Sequence, residues 1–176
     1  LYAAVIDTGK SRFAWLFVNL FTAVIASVVI GLFQGTIEQV VMLAVLMPIA
    51  ASMGGNAGTQ TLTVAVRAIA MKELTTANAY RVMSKEILVG TFNGVLFALI
   101  VGVIAWIWSG SIGIGVVMAV AMVITLIVAG FAGAAIPLAL SRTRFDPAIA
   151  SGVFLTTVTD VVAFLAFLGL GTWFLV

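Results

Sequence analysis

Five long runs of mostly apolar residues follow one another along the chain, and short polar or turn-forming segments separate them. A helix needs about 20 consecutive, mostly apolar residues to cross the hydrocarbon core of a membrane, and every run reaches that length. The pattern therefore predicts an all-α membrane protein with five transmembrane helices in each chain. The predicted spans cover residues 13–33, 38–66, 87–108, 114–140 and 147–174.

The positive charges predict which way these helices cross the membrane. All eight lysines and arginines lie in residues 1–12, 67–86 or 141–146. Five crossings place these three segments on one side, and segments rich in lysine and arginine stay on the cytoplasmic side. We therefore expect a multi-pass protein of the cell (inner) membrane, with its N-terminus in the cytoplasm and its C-terminus outside.

The composition removes several classes of function. With 64% hydrophobic and 8% charged residues, the chain is not a soluble domain, and we expect no nucleic-acid partner. It contains no cysteine and no histidine, so thiolate sites and imidazole sites are excluded. A bound metal should then be a hard cation held by oxygen. An intramembrane protease needs paired acids or a zinc site, so we expect no enzymatic activity.

Asp160 is an acidic residue inside the last apolar run, and it is the strongest candidate for a functional site. A charge within the hydrocarbon layer is costly and by default marks an ion or proton pathway. No lysine or arginine lies within a predicted span, which disfavours a structural ion pair. Thr156 and Thr157 share its helix face, and their hydroxyls can bond to the preceding turn, loosen it and free carbonyl oxygens. We expect Asp160 to bind a metal ion, with Thr156 and Thr157 lining its pathway.

A second polar motif lies inside the second predicted span, at the same depth as Asp160. Asn56 precedes Arg67 by eleven residues, and Asp160 follows Pro147 by thirteen. At ~1.5 Å per residue, these separations place Asn56 roughly 16 Å and Asp160 roughly 20 Å from the cytoplasmic boundary. Both positions are near the middle of a core that is about 30 Å thick. The two motifs therefore predict one cation site.

Two kinds of residue in this second motif could line a pore. Some share a polar helix face, and the others are glycines that would let a hydrated ion or a neighbouring helix approach the backbone. The structural alternatives stay open, because the polar residues could bond helices together and the glycines could serve packing alone. The candidate pore-lining residues are Asn56, Thr59 and Gln60 on the polar face and the glycines Gly54, Gly55 and Gly58.

These motifs resemble those of the MgtE family of magnesium channels. The run from Met47-Pro48 through Gly54-Gly55-Asn56-Ala57-Gly58-Thr59-Gln60 to Arg67 is similar to the second helix of that family. Asp146-Pro147-Ala148, followed by Thr156-Thr157-Val158-Thr159-Asp160, is similar to its fifth helix. The resemblance covers essentially the whole chain. One departure is Val153, where the family pattern has a second proline.

The resemblance implies a homodimer embedded in membrane lipids, with a pore on the two-fold axis that the second and fifth spans line. Asp160 would be the pore carboxylate that binds Mg²⁺ mainly through its waters. Residues 1–12 would be the end of a cytoplasmic connecting helix, and residues 13–176 the five-helix pore domain. Cytoplasmic Mg²⁺-sensing domains, which accompany this pore in the family, would be absent from this stretch of sequence.

The leading functional expectation is a channel that passes hydrated Mg²⁺ along its electrochemical gradient. Mg²⁺ gives up its waters reluctantly, so one carboxylate per subunit with carbonyl and amide oxygens suits it better than a closed cage. The alternative is a proton- or sodium-coupled Mg²⁺ antiporter. In the proton-coupled form, Asp160 would bind a proton and Mg²⁺ alternately. A less favoured alternative is a membrane anchor subunit without transport activity, which would leave Asp160 and Asn56 unexplained.

Overall fold

A computed structural model describes residues 5–75, 77–143 and 146–176, and these residues form helices joined by short connections. No strand occurs within these ranges, so the all-α prediction is confirmed. The helices are α1 (Val5–Gly31), α2 (Gln34–Gln39), α3 (Met42–Ala70), α4 (Ala79–Ser109), α5 (Ile112–Leu140) and α6 (Pro147–Leu175).

In the part of the chain that the structure describes, four helices have the length and apolar composition to cross a membrane: α4, α5, α6 and the Arg12–Gly31 part of α1. The protein is therefore a multi-pass membrane protein. Helix α3 has 29 residues and is about 43 Å long, but its glycines, threonines and amide side chains make it less apolar than the other four. The crossing of α3, which corresponds to the second predicted span, stays a prediction.

The helices extend further than the apolar runs. Residues 34–37, which separate the first two predicted spans, are helical and belong to α2. The polar 67–86 segment is also mostly helical, since α3 ends only at Ala70 and α4 already begins at Ala79. Arginine, lysine and glutamate are good helix formers, so a helix continues past the apolar run that started it. The polar connection between α3 and α4 is correspondingly shorter than the sequence pattern suggests.

Local signals in the sequence set the start of α6 and the end of α4. Asp146 accepts a hydrogen bond from the backbone N–H of Ala148 (2.9 Å), and Pro147 occupies the first helical position. Gly110 ends α4 with a φ of 69°, in the left-handed region that favours glycine. The turn that follows Gly110 leads directly into α5.

Helix α5 forms the centre of the bundle and packs against α3, α4 and α6. Half of its apolar segment is buried, against 6% for α1, which packs substantially only on α6. The α4–α5 pair is especially close, because a Cβ at Gly90 would lie 2.5 Å from the carbonyl oxygen of Leu126. Small residues at such contacts let helix backbones approach within a membrane. The core is therefore built around α5, with α1 on the outside.

The hydroxyls of Thr36 and Thr172 lie 2.8 Å apart and show how α1 and α6 are directed. Thr36 follows the end of α1 closely, and Thr172 lies near the end of α6. The C-terminal ends of both helices are therefore on the same side of the bundle, and α1 and α6 run parallel.

Candidate cation site

The packing of α3 on α6 brings the two polar motifs together. A Cβ at Gly54 would lie 3.6 Å from the Cβ of Thr159, and one at Gly58 would lie 3.0 Å from the Cδ1 of Leu155. Residue numbers rise along α3 as they fall along α6, so the two helices are antiparallel. Asn56 and Asp160 are each within two residues of the Gly54–Thr159 contact. The two motifs therefore lie at one level of the bundle, as the sequence predicts.

Asp160 is half-buried on α6, beside the fully buried Thr159. Within the described part of the chain, no side chain forms a hydrogen bond or an ion pair with its carboxyl group. The described residues also contain no cluster of three or more acidic, histidine or cysteine side chains that could enclose a metal ion. The carboxyl group of Asp160 is therefore free to meet a ligand from outside the chain.

The two threonines that precede Asp160 bond to their own helix, as predicted. Thr156 donates its hydroxyl proton to the carbonyl oxygen of Gly152 (2.6 Å), and Thr157 donates to that of Val153 (2.7 Å). The helix stays unbroken through these bonds and through Val153, so the expected loosening of the turn does not interrupt it. Because each hydroxyl donates its proton to a backbone carbonyl of its own helix, its oxygen can only accept hydrogen bonds from a ligand.

An exposed polar stripe runs along α3, and Asn56, Thr59 and Gln60 are part of it. Thr59 donates to the carbonyl oxygen of Gly55 (2.8 Å), in the same way as the threonines of α6. The stripe is longer than the sequence motif, because two further exposed residues lie on the same face. The polar stripe consists of Ser52, Asn56, Thr59, Gln60 and Thr63.

Sequence reasoning missed Ser52 and Thr63, although a signal for both was present. Ser52 lies four residues before Asn56, and Thr63 lies four residues after Thr59, which is the spacing of one helix face. Thr63 also donates its hydroxyl proton inward, to the carbonyl oxygen of Thr59 (2.8 Å). Extending the helical spacing beyond the glycine-rich motif would have found both residues.

The three candidate glycines separate into two kinds. Gly54 and Gly58 are buried, since a Cβ on Gly54 would lie 2.5 Å from the Cγ2 of Thr125 and one on Gly58 would press on Leu155. Gly55 faces open space, with no atom within 4 Å of its Cβ position. Within one chain, Gly54 and Gly58 thus act as packing residues, and a pore-lining role for the three glycines stays a prediction.

The polar stripe excludes a simple lipid-facing position for this side of α3. Each polar group left without a partner in hydrocarbon costs several kcal/mol, so groups of this kind face water, an ion or another protein. The unpaired carboxyl group of Asp160 lies at the same level and imposes the same requirement. Fold and site together define a multi-pass helical membrane protein with an exposed polar stripe and an unpaired acid at one level of the bundle, a combination typical of ion-transporting proteins.

The chain belongs to the MgtE family. Residues 47–170 match the family model described as a divalent cation transporter, so the match includes both polar motifs. The family is one of transporters and not of enzymes, which confirms the expectation from the sequence.

Three relatives named magnesium transporter MgtE support this assignment. The chain is 34% identical to the protein of Bacillus subtilis over 93% of its own length, and 32% identical to that of Enterococcus faecalis over 97%. It is also 32% identical to the protein of Thermus thermophilus over 90% of its length. The chain spans 36%, 38% and 35% of these three relatives, or a little over one third of each.

Proposed function

We propose that the chain forms the membrane pathway of a magnesium channel in the cell membrane, and that hydrated Mg²⁺ passes along its electrochemical gradient. The observation that carries this proposal is the unpaired Asp160 at the level of the exposed polar stripe of α3. The family match, which spans both motifs, supports the choice of a divalent cation. The relatives named magnesium transporter support Mg²⁺ in particular.

The proposed pathway needs a second copy of the chain. One chain offers a single carboxyl group, that of Asp160, at the level of the exposed polar stripe, and both must be kept away from lipid. A two-fold axis beside the polar stripe would place the same face of a second copy opposite it. Two copies of Asp160 would then flank the pathway, and α3 would be the fifth crossing. The resulting homodimer would have its N-termini in the cytoplasm and its C-termini outside, as the charge distribution predicts.

The chemistry of the face suits a cation that keeps its waters. Mg²⁺ is commonly bound through one or two carboxylates and retains several of its waters. Those waters donate hydrogen bonds, so their surroundings should offer acceptors. Asp160 supplies charged oxygens, and Asn56 and Gln60 supply amide oxygens. Thr59 and Thr156 supply hydroxyl oxygens whose protons are already donated to the helix backbone.

Ion flux into liposomes that carry this chain tests the proposal. We expect Mg²⁺ entry, followed with an internal Mg²⁺-sensitive dye, to depend on an imposed membrane potential. Entry should be unchanged by proton or sodium gradients, because a passive channel couples to neither. Flux that requires either gradient would establish a coupled antiporter instead. A folded, reconstituted protein that passes no Mg²⁺ under any of these gradients would contradict transport altogether.

The homodimer is tested by cross-linking through single cysteines, because the chain contains none. We expect Gln60→Cys to give a disulfide-linked dimer on mild oxidation, since Gln60 belongs to the polar stripe that should face its copy. Leu99→Cys is the matched control, because Leu99 is 66% exposed on α4, away from the stripe. The measurement is the dimer band in a non-reducing gel. A dimer that forms through Leu99→Cys but not through Gln60→Cys would place the interface elsewhere.

A further inference from the structure

Three alternate residues of α3 near its polar stripe are threonines, and their hydroxyls do not all bond in the same way. Thr59 and Thr63 donate to carbonyl oxygens one turn back in α3 itself. Thr61 lies between them and donates to the carboxylate of Glu86 on α4, with 3.0 Å between Oγ1 and Oε2. A threonine in a helix can satisfy its hydroxyl within its own backbone. The Thr61–Glu86 bond is therefore a specific link between two helices.

This link joins two helices that otherwise scarcely touch. Helices α3 and α4 each pack on α5 but hardly on each other. A Cβ at Gly133 of α5 would lie 2.8 Å from the Cβ of Thr61, and one at Gly130 would lie 2.6 Å from the carbonyl oxygen of Glu86. These two glycines are three residues apart and share one helix face. Both helices therefore approach α5 at the level where Thr61 and Glu86 bond to each other.

Thr61 lies on the side of α3 that faces away from the polar stripe. At about 100° per residue, Thr61 is roughly 140° around the helix from Asn56. The packing contacts of Gly54 and Gly58 involve apolar atoms and backbone, which set the distance between helices but favour no single rotation strongly. A hydrogen bond depends on direction as well as distance. The link therefore fixes the rotation of α3 about its own axis.

The surroundings of Glu86 allow a carboxylate here without a counter-charge. Glu86 is half-buried, and Thr61 is the one hydrogen-bond partner of its carboxylate among the residues that the structure describes. A cavity of about 210 Å³ lies beside it, with Glu73 and Lys85 in its lining. This volume holds several waters, which can bond to the carboxylate. The link is therefore formed without leaving a dry, unpaired charge.

We propose that Glu86 is a positioning residue for the cation pathway. Through Thr61, it holds α3 in the rotation that turns the polar stripe toward the cation at the level of Asp160. This inference rests on the proposed function, the passage of Mg²⁺, and neither Glu86 nor Thr61 touches the ion. Without the bond, α3 rotates more freely, and Asn56 and Gln60 face the ion for less of the time. Cation binding then weakens, although the pathway itself remains.

The dependence of liposome flux on Mg²⁺ concentration separates positioning from stability. We expect Glu86→Ala to raise the concentration for half-maximal flux about tenfold, as the loss of one hydrogen bond predicts. Flux at saturating Mg²⁺ should stay close to that of the unmodified protein. Thr61→Val should have the same effect, and the double variant should have no larger one, because both changes remove the same bond. Thermal unfolding in detergent is measured for every variant.

Conservative variants and a matched control identify the bond as the cause. Glu86→Gln keeps an oxygen acceptor and Thr61→Ser keeps the hydroxyl donor, so both should retain a half-maximal concentration near that of the unmodified protein. Glu73→Ala is the control, because it removes an exposed acid from the same cavity. The Glu73 carboxylate has no hydrogen-bond partner within the described residues, so its loss should leave the concentration dependence unchanged.

Thiol reactivity tests the link without any transport measurement, because the chain contains no cysteine. Ala65 is one turn after Thr61, on the same side of α3, and is only 3% exposed. Ala65→Cys should react with N-ethylmaleimide about tenfold faster when Glu86→Ala is also present, because the side of α3 that packs on α5 opens more often. Ala98→Cys, at a buried position of α4, is the control for general loosening and should react at an unchanged rate.

Several results would overturn the assignment. If Glu86→Gln weakens Mg²⁺ binding as much as Glu86→Ala, the negative charge matters and not the bond. A lower unfolding temperature in Glu86→Ala with an unchanged half-maximal concentration would make its role structural only. Failure of the unmodified protein to pass Mg²⁺ contradicts the proposed function, whereas an unchanged thiol reaction at Ala65→Cys contradicts the control of α3 by Glu86.

Discussion

Replacing Asp160 by asparagine is expected to lower voltage-driven Mg²⁺ flux by about a hundredfold, or ~2.8 kcal/mol. The reason is the charge of the carboxylate, which asparagine lacks at nearly the same size. A divalent ion about 5 Å from a carboxylate gains roughly 7 kcal/mol at an effective dielectric constant of about 20. Desolvation of the ion and of the carboxylate offsets much of that energy. The remainder is of the order of the ~2.8 kcal/mol loss expected for asparagine. The measurement is dye-reported flux in liposomes at a fixed membrane potential.

Two further variants separate charge from structure in this experiment. Asp160→Glu keeps the charge and should retain more flux than Asp160→Asn, although its longer side chain moves the carboxylate. Glu38→Gln is the matched control, because it makes the same acid-to-amide change at an exposed residue of α2. It should leave flux near the level of the unmodified protein. If Asp160→Asn folds and conducts as well as that protein, Asp160 is not the cation site.

Gly54→Ala is expected to destabilise the bundle by about 1–3 kcal/mol, the usual cost of an extra methyl group in a filled core. The new Cβ would lie 2.5 Å from the Cγ2 of Thr125, which is fully buried on α5. The β-branched side chain of Thr125 has little freedom to rotate away, so α3 must shift. This shift would move the polar stripe relative to Asp160 and lower Mg²⁺ flux as well. Thermal unfolding in detergent and liposome flux are the two measurements.

The contact partner makes this prediction specific. Thr125→Ser removes the Cγ2 that the new methyl group would meet, so the double variant should recover most of the stability and flux lost in Gly54→Ala. Such a coupling between neighbouring residues is typically 0.5–3 kcal/mol, or about 1 kcal/mol here. Gly55→Ala is the control, since its Cβ position is open and alanine favours helix. If Gly54→Ala alone is as stable as Gly55→Ala, the close contact with Thr125 does not limit the packing.

Much of the fold follows from the sequence, because apolar runs of membrane length and the spacing of polar residues report directly on helices. Asp160 and Asn56 could be placed at one depth by counting residues from the charged segments, and the contact between Gly54 and Thr159 agrees with that count. The helix-capping role of Asp146 and Pro147 is also a local signal. These features depend on residues that are close together in the chain.

Other features depend on how the helices are rotated against each other, which a single sequence does not contain. Gly54 and Gly58 resemble Gly55 in sequence, yet only the packing of α5 and α6 against α3 buries the first two. The hydrogen bond between Thr61 and Glu86 depends in the same way on a contact between distant parts of the chain. Helix α2 was missed for another reason, since six residues without an apolar period carry no clear helical signal.

The close contact between α4 and α5 bears on how the protein enters the membrane during synthesis. The connection between the two helices is only Gly110 and Ser111, and their backbones touch at both ends, near Gly115 and near Gly130. Neither helix can reach this arrangement before the other has been synthesised, although each is apolar enough to move from the translocon into the bilayer by itself. We therefore expect α4 to remain at the translocon until α5 has been synthesised, so that the two helices enter the bilayer together as one hairpin.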